Sequence, residues 1–220
     1  MESVDHSIWK AAGIYDSIMG SVYKVYIDKV LIFGLVERWC CETNTFMFPW
    51  GEATVTLEDM MILGGFDVLG GPVLWLNILM DSGRDTELET FLSLWLSRFV
   101  FPGNEYGKIG RHVFPIAVNF TRGTRLALDP AVLASIYKDL SLLKQTMIMA
   151  SSNEPSWLVP KLYKENGEWT IVERRQNVDQ ELESFIRFLR VSELVGLDCQ
   201  EHYRPSRVAL QLGYDQDFPK

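Results

Sequence analysis

Between Leu35 and Val73 the chain changes its local structure several times, and this stretch constrains the fold more than any other. It reads LVERWCCETNTFMFPWGEATVTLEDMMILGGFDVLGGPV. Val36-Glu37-Arg38-Trp39 reads as the last turn of a helix. Phe46 and Phe48, then Ala53 and Val55, alternate on either side of Pro49-Trp50-Gly51-Glu52, which predicts a hairpin. Thr56 can then accept from the unpaired N–H groups of a new helix. Glu58 and Asp59 fall in its first turn, where the helix dipole favours acids. Asp59 stands where a capping box usually carries Glu or Gln, so the motif is approximate. Gly64-Gly65 ends the helix, because glycine tolerates the left-handed conformation.

On either side the apolar spacing is helical. Ile8, Ala12, Tyr15, Met19, Val22 and Tyr26 step by four and three, which predicts one long first helix. Gly13 and Gly20 weaken it, so packing must hold it. Asp28 can cap a second helix running from Lys29 to about Trp39. Leu74 to Met80 is ambiguous between helix and strand, and residues 81–85 form a polar linker before a cap at Asp85 or Thr86. Leu88, Phe91, Leu92, Trp95 and Phe99 make the buried face of the next helix, which Pro102-Gly103 ends. Pro115 to Thr121 is a short helix stopped by Gly123. Asp129-Pro130 combines a capping side chain with a proline suited to the first helical position. Val132, Leu133, Ile136, Tyr137, Leu140 and Leu143 form that helix's apolar face. The pattern breaks from Gln145 to Pro160, with loop chemistry at 151–156. Asn166-Gly167 between two strand-like runs predicts a second hairpin. Asp179 can cap a helix carrying Leu182, Phe185, Ile186 and Leu189. Pro205 starts a final helix with Val208, Ala209 and Leu212 inward and Gly213 as its stop.

The expectation is a mainly α, compact multi-helix domain with one or two small β-hairpins. At 220 residues with 47% hydrophobic and 23% charged residues, the chain can bury a core without covalent staples. A net charge of −8 argues against a broad phosphate-binding face, since that affinity comes from Lys and Arg. Cys40, Cys41 and Cys199 are too few for a disulfide framework, and reduced thiols are the simpler reading. The N-terminus has no secretory pattern, no apolar run is long enough to span a bilayer, and no internal repeat is present.

The sequence holds no Walker loop, no G-x-S-x-G, no H-E-x-x-H and no G-x-G-x-x-G. Cys199 and His202 could join Cys40 and Cys41 at a zinc ion, but adjacent cysteines are not zinc-finger spacing. A buried thiol beside a surface histidine is the simpler reading. No metal or cofactor is expected.

Two long blocks carry a resemblance. One holds Glu37-Arg38-Trp39, Glu42-Thr43-Asn44-Thr45-Phe46, Pro49 with Gly51-Glu52, Thr54 to Asp59, and Leu63-Gly64-Gly65 before Gly71-Pro72-Val73. The other runs from Tyr203 to Asp217, YRPSRVALQLGYDQD. Phe91 to Pro102 and Leu126 to Lys144 add to it. The chain resembles the plant mobile domain family, also labelled aminotransferase-like, as a single domain over residues 1–220 shortened around 145–156. Many members carry a Trp-rich helix that is missing between Lys144 and Trp157. The resemblance implies nuclear work in gene regulation and silencing of transposable elements, without enzymatic activity. It implies a protein partner, either a phosphatase of the PP7-like kind or another plant mobile domain protein, and no membrane. The aminotransferase label would require a Schiff-base lysine and a phosphate cradle. Lys10, Lys24 and Lys29 read as surface charges instead.

The polar residues of the matching blocks are Glu37, Arg38, Glu52, Glu58, Asp59, Arg207, Gln211, Asp215 and Gln216, with Trp39 beside them. They form either a recognition pocket or a structural network in which Arg38 or Arg207 forks onto a carboxylate and holds the hairpin against the last helix. A catalytic reading would need Glu37, Glu52, Asp59 or Arg207 in a deep pocket with shifted pKa values. A DNA-binding reading would use Arg204, Arg207, Arg111 and His112, with Arg207 to Tyr214 as a helix-turn-helix-like element. An exposed apolar patch around Trp50, Trp75 or Trp157 would point to a protein partner instead.

Overall fold

The first helix, α1 (Glu2–Ala12), stops short of its predicted length, and a second, α2 (Tyr15–Gly20), follows after a break. Gly13 makes the break with φ of 72°, and a Cβ there would lie 2.7 Å from the Asp67 carboxylate. Val22 and Tyr26, expected on the same helix, lie beyond it and are exposed. The spacing of apolar residues continued through Gly13, but the chain's conformation did not. In this computed structural model the described residues are 2–73, 86–102, 108–150, 180–209 and 211–212. The expected segments at 74–85, the loop at 151–156, the Asn166-Gly167 hairpin and the Asp179 cap lie outside them.

The chain divides into two compact units. One holds Met1–Asp28, Val55–Lys138 and Glu193–Glu201. The other holds Lys29–Thr54, Asp139–Ser192 and His202–Lys220.

In the first unit, α4 (Leu57–Gly64) begins at a complete capping box. The Asp59 N–H donates to Thr56 Oγ1 at 3.2 Å, and the Thr56 N–H donates back to Asp59 Oδ2 at 2.8 Å. Asp59 thus does the work usually given to Glu or Gln. Gly65 closes the helix with φ of 63°. A Cβ there would stand 2.9 Å from the Ser17 backbone nitrogen, so the position needs glycine for space as well as conformation. Helix α5 (Thr86–Trp95) runs into a wider π turn at Leu96–Val100. Leu88, Leu92 and Trp95 are buried, whereas Phe91 and Phe99, expected beside them, are exposed. The extra residue per turn shifts Phe99 off the buried face, and Phe91 stacks on Trp9 with ring centroids 5.6 Å apart. Helix α6 (Phe114–Thr121) packs between α1 and α5. Ile116, Ala117 and Phe120 of α6 meet Leu92, Leu96, Leu126 and Leu128 in the core.

Helix α7 (Leu128–Ala150) continues past Gln145, where the sequence pattern predicted its end. It also begins one residue before Asp129, so Asp129 lies in its first turn rather than at its cap. The loop before it is zipped to Gly71. The Gly71 N–H donates to Arg125 O at 3.1 Å, and the Ala127 N–H donates to Gly71 O at 3.0 Å.

In the second unit, α3 (Lys29–Val36) ends three residues before Trp39, which instead opens a strand. Strands β1 (Trp39–Cys40), β2 (Thr45–Phe48) and β3 (Gly51–Ala53) form an antiparallel sheet in sequence order. Trp39 pairs with Phe46 and Phe46 with Ala53. The β2–β3 hairpin was expected and β1 was not. Asn44 makes the first turn with φ of 56°, a conformation asparagine tolerates better than most side chains. Helix α8 (Gln180–Leu189) buries Phe188, not the expected Phe185. The predicted final helix is a single 3₁₀ turn, Pro205–Val208, with Val208 buried. Strands β4 (Ser192–Val195) and β5 (Gln200–Tyr203), which fall mostly in the first unit, make a second, two-stranded sheet. The fold is mainly α with two small antiparallel sheets.

Candidate functional site

The second unit brings together three of the polar residues singled out by sequence, Glu52, Arg207 and Gln211, the first two as a buried ion pair. β3 carries Glu52 inward, and the 3₁₀ turn presents Arg207 to it. Arg207 Nε donates to Glu52 Oε2 at 2.8 Å, and Arg207 Nη2 donates to Glu52 Oε1 at 2.6 Å. The side chains are 13% and 5% exposed, so this bidentate fork works away from bulk water. Thr45 Oγ1 donates a third bond to Glu52 Oε2 at 2.9 Å. Thr45 and Thr43 hydroxyls lie 2.7 Å apart. Because Thr45 has one proton and gives it to the carboxylate, Thr43 is the donor between them.

Gln211 adds a second clasp. Its Oε1 accepts from the Thr54 N–H at 3.0 Å, and its Nε2 donates to Thr54 O at 2.7 Å. One side-chain amide thus reads the strand end as a neighbouring backbone would. Thr54 Oγ1 donates to Asn44 O at 2.6 Å, and Asn44 Nδ2 donates to His202 O at 3.1 Å. Tyr203, fully buried, donates its hydroxyl to Phe188 O at 2.9 Å. The segment from His202 to Gln211 is therefore stitched to both the sheet and α8.

The remaining candidates are dispersed. Arg38 lays its guanidinium 5.6 Å from the Phe48 ring centroid, and its carbonyl accepts from the Met47 N–H at 2.8 Å. Phe48 stacks in turn on the exposed Trp50, with centroids 4.8 Å apart and the planes within 4°. Trp39 is buried edge-on against Phe46 and donates from Nε1 to Ser141 Oγ at 2.9 Å. The Glu37 carbonyl accepts from Lys144 Nζ at 2.6 Å. Burial lowers the Lys144 pKa, against the opposing pull of Cys41, Glu37 and Cys40. Glu58 and Asp59 belong to the other unit, where Asp59 is engaged in the α4 cap. Asp215 and Gln216 lie outside the described residues, as do Trp75 and Trp157.

Glu52 and Arg207 form a clamp rather than an acid–base couple, since three donors converge on the two carboxylate oxygens. Among the described residues no group of three His, Cys, Asp or Glu side chains comes together to hold a metal. None of their helices is long and apolar enough to cross a membrane.

Sequence reasoning missed a second polar focus, in the first unit. Asp129 is fully buried, and among the described residues neither of its carboxylate oxygens has a hydrogen-bond partner. Its backbone N–H donates to Asp67 O at 3.2 Å. Asp67 is itself ion-paired with Arg125 at 2.8 Å. Burial, and after it the charge of Asp67, push the Asp129 carboxyl up to about 8. An Asp-Pro helix start looks the same whether the acid caps or is buried, so no local signal could have found it.

Comparison with known proteins locates this architecture. Over 53 residues, 24% of the chain, it is 54% identical to Protein MAIN-LIKE 2 of Arabidopsis thaliana. Over 52 residues it is 48% identical to Protein MAINTENANCE OF MERISTEMS, and over 55 residues 54% identical to the serine/threonine-protein phosphatase 7 long form homolog, both of the same plant. These stretches span 8%, 11% and 4% of the three relatives. No solved structure matches the chain. The plant mobile domain matches residues 13–78, 73–166 and 158–220, and the chain belongs to that family.

Proposed function

We propose that this domain is a non-enzymatic protein-interaction module acting in the nucleus, in gene regulation and the silencing of transposable elements. Its partner is a phosphatase of the PP7-like kind or another plant mobile domain protein. The observation that carries the reading is α3. Its sequence, KVLIFGLV, is apolar on every side, as in a helix buried all round. Yet Val30 is 83% exposed and Leu31 61%, with Phe33 also exposed. Apolar surface held in water at this density marks a place where another protein packs. The stacked Trp50 on the same unit adds to it. Short matches, of 52 residues in a protein named for the maintenance of meristems and of 55 residues in a phosphatase homolog, suit recognition better than chemistry. The DNA-binding alternative loses its main residue, because Arg207 is committed to Glu52.

The test is a titration of the purified phosphatase 7 long form homolog and of MAIN-LIKE 2 against the chain, nuclease-treated. Wild type is compared with Val30→Asp, and circular dichroism checks that both are folded. Saturable binding that Val30→Asp abolishes is expected. Binding to neither relative, or equal binding by the folded variant, overturns the reading. Localisation of a fluorescent fusion outside the nucleus would refute the compartment.

A further inference from the structure

Residues 90–128 lie wholly in the first unit and differ in charge from the rest of the chain. They hold five of its 21 Lys and Arg residues but one of its 29 Asp and Glu residues, Glu105, which lies outside the described residues. A chain of net charge −8 thus carries a locally basic stretch. Two parts of it are fastened together. The Gly110 N–H donates to Ser97 Oγ at 3.1 Å, which sets the π turn Leu96–Val100 against the 3₁₀ turn Arg111–Val113. Arg98 and Phe99 are exposed on one side of this joint, Arg111 and His112 on the other, and Phe114 follows at the start of α6. A Cβ on Gly110 would collide with the His112 ring, so the imidazole folds back over the joint. Phe99 is 51% exposed and Phe114 44%. Among the described residues neither Arg98 nor Arg111 is paired with a carboxylate. Arg98 lies instead 5.7 Å from the Phe99 ring centroid. Lys108 has a partner within the chain, and the site does not rest on it.

We infer that this face binds single-stranded nucleic acid, with Arg98 and Arg111 on phosphates and Phe99 and Phe114 stacked on bases. The choice follows from what each class of ligand would leave unsatisfied. An acidic protein segment would pair the arginines and leave two phenyl rings in water. An apolar protein surface would cover the rings but strip water from two unpaired cations, which is costly. In a duplex the bases stack on one another, and their faces are closed to a phenyl ring. A single strand alternates anionic groups with open flat rings, and so satisfies both halves of the face. The π turn belongs to this reading, because it carries Phe99 off the buried side of α5, and such turns recur at functional sites. DNA and RNA single strands share this chemistry. The face is separate from α3 and from Arg207, which belong to the other unit. Two phosphate contacts and two stacked bases make it a weak site.

Fluorescence anisotropy of the full chain with labelled oligothymidylate and oligouridylate of about 12 nucleotides tests this. Saturable binding of at least one oligomer is expected between about 1 µM and about 1 mM protein, and the tighter of the two names the strand. The logarithm of affinity should fall with the logarithm of salt concentration at a slope of about −1.4, two phosphates at about 0.7 each. Arg98→Gln and Arg111→Gln should each flatten that slope by about 0.7. Phe99→Leu and Phe114→Leu keep an apolar side chain in place, and should keep the slope while lowering affinity about fivefold or more. A second measurement uses wild type alone, so that it does not depend on the folding of any variant. The chain is cross-linked to the oligomer with ultraviolet light, digested with trypsin and mapped by mass spectrometry. Cross-links within residues 99–108 or 112–122 are expected. Absence of binding up to about 1 mM, equal affinity for a polyglutamate peptide, tighter binding of the matching duplex, folded variants that bind as wild type does, or cross-links only elsewhere overturns the inference.

Discussion

Replacing Asp129 by asparagine should make the protein more stable at alkaline pH and flatten its stability–pH curve. The folded carboxyl sits at about 8, against an ordinary value of 3.8. Between those values the native state holds a proton that the unfolded chain has released. Folding stability therefore falls as pH rises, by about 1.36 kcal/mol per unit. The contribution is fully present below about pH 4, declines through neutrality, and is gone above about pH 8. From pH 5 to pH 8 the loss is about 4 kcal/mol for this one group. A side-chain amide cannot ionise, so the Asp129→Asn variant should lose none of it. Urea denaturation followed by tryptophan fluorescence, at half-unit steps from pH 5 to pH 9, measures both curves. Near pH 5 they should lie close together, because a neutral acid and an amide are similar in size and neither is charged. At pH 8.5 the variant should be the more stable. Parallel curves would refute the reasoning, since they would mean that Asp129 is already ionised in the native state and has found partners.

Other changes test the remaining contacts. Arg207→Ala leaves Glu52 buried and uncompensated, and should cost about 3 to 5 kcal/mol by chemical denaturation. Arg207→Lys keeps the charge but loses the planar fork, and should fall between that variant and wild type. Gln211→Ala removes both bonds to the Thr54 backbone and should cost about 1 to 3 kcal/mol, with faster amide exchange at Thr54 as the local readout. Thr56→Ala removes the capping side chain of α4 and should cost about 1 kcal/mol. Gly65→Ala should cost more than the cap does, because it adds a crowded Cβ to a left-handed backbone.

What was legible in the sequence was local. The α4 cap lies within four residues and its stop in the next glycine pair, so both could be read without knowing the fold. The β2–β3 hairpin is likewise written in its own alternation. Gly13 was different: the apolar spacing runs on through it, and only the folded chain shows Asp67 and Arg125 beside it where the helix breaks. Strand β1 was mistaken for the end of α3 because Trp39 fits either a helical face or a strand edge. The π turn after α5 displaced Phe99 in a way no regular period foresees. At the candidate site, family resemblance pointed to Glu52 and Arg207 together, but no spacing rule could pair residues 155 apart. The Thr45, Thr54 and Asn44 contacts depend on a sheet register visible only once folded.

The distance along the chain between Glu52 and Arg207 also sets a clock. A ribosome adding about 5 to 20 residues per second needs on the order of ten to thirty seconds to make the intervening chain. Throughout that interval Glu52 is without its arginine. The second unit cannot take its buried form until Arg207 and Gln211 have been made.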